Sequence, residues 1–93
     1  MDATVSVTST GTGERAFRVN VFQDAPEWQA AGMSLSDLRS TEVLQILQAL
    51  GISGADSGQL LESALATPLA PGRTRLRLTP EQQHYIDVTF PSR

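Results

Sequence analysis

Two short runs near the start of the chain limit what it can fold into. From Thr4 to Thr8 an apolar side chain falls on every second residue, at Val5 and Val7, and the alternation returns from Ala16 to Phe22 at Phe17, Val19 and Val21. A period of two in β-branched and aromatic residues describes strands with one buried face. Between the runs, Ser9-Thr10-Gly11-Thr12-Gly13-Glu14 has two glycines and no apolar residue, the composition of a hairpin connection. An antiparallel hairpin is therefore expected. Phe22 is out of phase with Phe17 and belongs to the sheet's other face or to the strand's end.

The middle of the chain changes period. Asp24 and Glu27 have the spacing of a capping pair, with Pro26 in the first turn and Gly32 as a stop, which predicts a short helix of two turns. Ser34 and Asp37 repeat that spacing ahead of Leu35 to Leu50, read as the main helix. Its Val43, Leu44, Ile46, Leu47 and Leu50 lie against a polar stripe of Glu42, Gln45 and Gln48. Arg39 and Glu42 would interrupt the apolar stripe if it ran back to Leu35, so a bend is expected near Ser40. Gly51 supplies the C-terminal stop, with Ile52 placed to close a Schellman cap against Leu47. Asp56 with Gln59 then caps a further helix, in which Leu60, Leu61, Ala64 and Leu65 recur until Thr67-Pro68 ends the run.

Past the turn Leu69-Ala70-Pro71-Gly72, the segment Arg73 to Leu78 alternates again, with Thr74, Leu76 and Leu78 inward and three arginines outward. Tyr85 to Phe90, with Ile86, Val88 and Phe90 in phase, is assigned to a closing strand. Thr79-Pro80-Glu81 is also a good helix start, and a helix over Pro80 to Phe90 is the alternative. The expected fold is a single α+β domain over residues 1–93, a two-layer sandwich. Its antiparallel four-stranded sheet follows the order ββ, short α, αα, ββ, with the helices on one face and the other face wet and polar.

Composition restricts the chemistry. With no cysteine, disulfides, thiolate metal sites and cysteine nucleophiles are impossible, and the core holds by packing alone. The longest apolar stretch, Ala64-Leu65-Ala66, excludes a bilayer-spanning helix. Met1-Asp2-Ala3-Thr4 lacks the basic flank and apolar stretch of a signal peptide, which points to the cytoplasm. A net charge of −3 is the wrong balance for a non-specific grip on phosphate backbones. All seven cations are arginine, consistent with GC-rich coding or with a use for bidentate contacts.

No catalytic, metal or cofactor site is expected. The one histidine, His84, is read as a solvent-side residue at the start of the closing strand, where it would point away from both Tyr85 and Asp87. One histidine without cysteine also lacks the usual zinc ligands. Gly54-Ala55-Asp56-Ser57 resembles the segment of acyl carrier proteins in which the serine after aspartate receives phosphopantetheine. Here Gly58 stands where that family has an apolar residue, the match covers four of 93 positions, and an all-helical fold conflicts with the strand patterns. Capping of a helix by Asp56 is the favoured reading. The helix, Gly51 turn and helix also permit a winged helix-turn-helix, but the second helix, from Gln59 to Ala66, has no lysine or arginine with which to meet DNA.

The most distinctive surface feature is the row Arg73, Arg75 and Arg77, a ladder suited to carboxylates or phosphates, or neutralised in part by Asp87 and Glu14, or placed to discourage pairing at a sheet edge. With Trp28 and Tyr85 it forms the candidate partner-binding surface, Trp28 alternatively plugging the end of the core. The expectation is a non-enzymatic protein-interaction module: an accessory subunit, an adaptor or an immunity-type inhibitor docking on a larger partner, with homodimerisation possible. A domain binding a small anionic ligand in a pocket, and a nucleic-acid-binding winged-helix-like protein, are the alternatives.

Overall fold

The structure, a computed structural model, describes residues 2–11, 13–23 and 32–90. In chain order the elements are β1 (Asp2–Ser9), β2 (Phe17–Gln23), β3 (Gly32–Leu38), α1 (Ser40–Ala49), α2 (Gly54–Ala66), β4 (Arg73–Arg77) and α3 (Pro80–Thr89). The strands form one antiparallel sheet in the order β3-β2-β1-β4, so the fold is α+β with a four-stranded sheet and three helices.

The alternation at the start of the chain produces the central hairpin. Val5 stands opposite Val21 on β2 and Thr74 on β4, and Val7 stands opposite Val19. One face of the sheet thus presents Ala3, Val5, Val7, Phe17, Val19 and Val21, all buried against Val43, Ile46 and Leu47 of α1 and Leu60 and Ala64 of α2. Removing that apolar area from water supplies most of the driving force for a chain without crosslinks.

The helical pair forms much as its spacing implies. Gly51, at φ +88°, adopts the left-handed conformation that α1 needs to stop. Its amide donates to the Gln48 carbonyl and the Ile52 amide to the Leu47 carbonyl, both at 3.0 Å, which completes a Schellman motif. The cap of α2 lies earlier than expected: the Ser53 hydroxyl accepts from the Asp56 amide at 3.2 Å, leaving Asp56 in the first turn, where its charge suits the helix dipole.

Two elements differ from the sequence reading. Residues 32–38 are the strand β3, which takes in Leu35 to Leu38, expected as the first turn of the main helix. Met33 faces Val21 and Leu35 faces Val19, while Ser34 faces Asn20, so the segment has a strand's period of two. Ser34 and Asp37 therefore lie within a strand rather than at a helix start, and Gly32 is the first residue of β3. The bend expected near Ser40 is the strand-to-helix junction, where the Arg39 amide donates to Glu42 Oε1 at 3.0 Å. The remainder of the short helix expected over residues 24–32 lies outside the described residues.

The second difference is α3, which stands where a closing strand was expected. Thr79 and Gln82 make a reciprocal capping box, with the Gln82 amide donating to Thr79 Oγ1 at 3.2 Å and the Thr79 amide to Gln82 Oε1 at 2.9 Å; Pro80 occupies the first helical position. Ile86 and Phe90, four residues apart, are buried on one side, whereas Val88 is exposed. The alternation of Ile86, Val88 and Phe90 is thus a coincidence of spacing, and the start signal at Thr79 decides the outcome.

Candidate functional site

The helices leave the second face of the sheet uncovered. Because side chains alternate, the register sets which residues share that face. Phe22, Thr4 and Arg75 form one row across the strands, next to Gly32, and Ser34, Asn20, Ser6 and Arg73 form the next. Arg18 lies opposite Thr8, and Arg77 opposite Asp2. Among the described residues the face is polar, as expected, and contains four arginines to one carboxylate in a chain whose net charge is −3. The other acids among the described residues, Glu14, Asp37, Glu42, Asp56, Glu62, Glu81 and Asp87, lie in connections, on helices or at an irregularity of β3.

Hydrogen bonds hold the centre of this face in place. Asn20 Nδ2 reaches Ser6 Oγ at 3.4 Å and Thr8 Oγ1 at 3.3 Å, and Arg18 Nε donates to Ser36 Oγ at 3.0 Å. Arg73, Arg75 and Arg77 project from β4 into solvent while Thr74 and Leu76 turn toward the core. Arg77 Nε lies 3.4 Å from Asp2 Oδ1, a cross-strand pair open to water and so of small net energy. The partners expected from sequence are engaged elsewhere. Asp87 belongs to α3, where its Oδ1 accepts from Gln83 Nε2 at 3.1 Å, and Glu14 sits 3.8 Å from Arg39.

Arg18 and Arg73 line separate shallow depressions. One, of about 270 Å³, is bounded by Arg18, Asn20, Phe22, Gly32, Met33 and Ser34. The other, of about 130 Å³, lies between α2 and β4 beside Asp56, Gln59 and Ser63. An open depression of about 410 Å³ along α2 is lined by Gln59, Glu62, Ser63, Ala66 and Thr67, without an arginine. The cations spread over a surface and do not gather around one of these cavities, the arrangement a small anionic ligand would need.

The other sequence-predicted residues fall as follows. Tyr85 is on α3, half-buried and packed against the core, rather than on a strand beside the arginines. Trp28 lies outside the described residues. His84 is exposed on α3 instead of starting a strand. Ser57 is wholly buried, so a bulky arm could not be attached there without opening the packing of α2. The β1–β2 hairpin is the centre of the sheet rather than a projecting wing. Among the described residues no group of three histidine, cysteine or acidic side chains could hold a metal ion, and no helix is long and apolar enough to cross a membrane. Sequence reasoning missed Arg18 as a member of the arginine-bearing face, whereas Phe22 lies on the sheet's other face, one of the two places expected for it; the even-numbered phase of both in β2 is the signal. In comparisons with known proteins, no family model matches the chain, and neither a curated protein nor a solved structure matches it significantly.

Proposed function

We propose that this chain is a non-enzymatic interaction module that docks through the open face of its sheet on an acidic surface of a larger protein, as an accessory, adaptor or inhibitory subunit. The observation that carries the reading is charge segregation: Arg18, Arg73, Arg75 and Arg77 share one face with Asp2, and of the remaining described carboxylates only Asp56 of α2 borders the same depression as one of them, Arg73. Such a patch steers an acidic partner and fixes its orientation. Arginine suits this role because its planar fork pairs with carboxylates through two hydrogen bonds. The cysteine-free composition fits action in the reducing cytoplasm.

The test is charge reversal. Affinity capture from the cells of origin, with mass spectrometry to name the partner, is followed by titration of the purified pair. Arg73→Glu with Arg75→Glu should abolish capture while leaving the melting temperature within a few degrees, since exposed side chains contribute little to stability. Unaltered capture would discard this surface.

A further inference from the structure

We propose, building on the docking reading above, that the outer edge of β4 takes up an extended acidic segment of the partner as an added strand, with carboxylates at every second residue meeting Arg73, Arg75 and Arg77.

The two ends of the sheet are not equivalent. β3 pairs with β2 through an irregular register between Phe17 and Val19, and its Asp37 is forced to φ +59°. A bulge of this kind obstructs further pairing. By contrast, β4 follows β1 without a shift from Asp2↔Arg77 to Ser6↔Arg73, and no strand lies beyond it among the described residues. Its register is the more regular of the two edges.

The inner side of β4 already displays the recognition that its outer side would use. Asp2 stands opposite Arg77 and meets it at 3.4 Å, so a carboxylate on a neighbouring strand reaches a β4 guanidinium at this spacing. A strand added on the outer side would place its own side chains about 4.5 to 5.5 Å from the arginines, at the same two-residue repeat. Main-chain hydrogen bonds would supply affinity and the alternating carboxylates specificity, as in other cases of strand addition. The arginines also filter what can bind. A second copy's β4 would set guanidinium against guanidinium in every register that keeps the faces matched, so this edge rejects self-pairing and selects an acidic partner.

The experiment uses the whole chain, isotope-labelled, with three synthetic peptides: one alternating glutamate with valine and threonine, one of the same composition with its glutamates grouped, and the alternating one N-methylated along its backbone. The expected result is that only the first slows amide exchange in β4, and that R73E, alone or combined with R75E, weakens it about tenfold or more while the remainder of the spectrum stays folded. Equal binding of the grouped or N-methylated peptide would overturn strand addition and leave docking by the face intact. Failure of all three peptides would also overturn strand addition, and the capture experiment above decides separately whether the docking reading falls with it.

Discussion

The ring of Phe22 covers Gly32 across the β2–β3 pair so closely that a β-carbon on residue 32 would come within 2.8 Å of Cε1. An aromatic side chain lying over a strand glycine shields backbone that would otherwise be exposed. Phe22 is thereby the apolar member of an otherwise polar face. The α-protons of Gly32 should show an upfield ring-current shift that Phe22→Leu abolishes. Gly32→Ala should swing the half-exposed ring aside at a cost of about 1 kcal/mol or less. Proton NMR and urea unfolding would check both, and an unshifted Gly32 resonance would contradict the contact.

Gly51, just past the end of α1, lies against the Gln82 side chain in the first turn of α3. Its positive φ disfavours any β-carbon, and a β-carbon there would also meet the Gln82 side-chain amide at 2.8 Å, the group whose oxygen caps α3. Gly51→Ala should therefore cost roughly 1 to 2 kcal/mol in urea denaturation. Gly51→Asn, which tolerates the left-handed region better, should cost less.

Ser57 is fully buried in the first turn of α2, and its hydroxyl has no hydrogen-bond partner. Removing an unsatisfied buried hydroxyl and gaining alanine's helix propensity both favour the folded state. Ser57→Ala should raise stability by about 1 kcal/mol, read as a higher urea midpoint at unchanged slope.

The helical nature of α3 has a direct mutational signature. In a strand, Ile86 and Val88 would face the same way and truncation of either would cost alike. On the helix Ile86 is buried and Val88 is 68 % exposed. Ile86→Ala should cost roughly 2 to 5 kcal/mol, and Val88→Ala under about 0.5 kcal/mol. Comparable losses from both would refute the helix.

The elements legible in the sequence are those in which period and punctuation agree. The β1–β2 hairpin, the Gly51 cap and the α1–α2 pair each combine a clear repeat with a turn or stop residue. The two misread segments are those in which the signals conflict. Over residues 32–38 the cap-like spacing of Ser34 and Asp37 competed with the alternation of Met33 and Leu35, and pairing with β2 settled it. Over residues 80–89 three apolar residues in strand phase competed with a capping box, and local hydrogen bonding prevailed. Of the candidate surface, the outward phase of Arg73, Arg75 and Arg77 was readable from five residues of alternation. That Arg18 and Phe22 point away from the core follows from their phase in β2, but how near they lie to the β4 arginines depends on which strands are neighbours, information that no local pattern contains.

The pairing of β1 with β4 joins Asp2 to Arg77, 75 residues further along the chain. During synthesis the β3-β2-β1 meander, α1 and α2 all emerge before the strand that completes the sheet. β1 therefore lacks its β4 neighbour until residues 73–77 are free to pair, and closure must then overcome the entropy of a long loop. Chaperone contact in living cells should concentrate on that interval, and a circular permutant that places β4 immediately before β1 should shorten it.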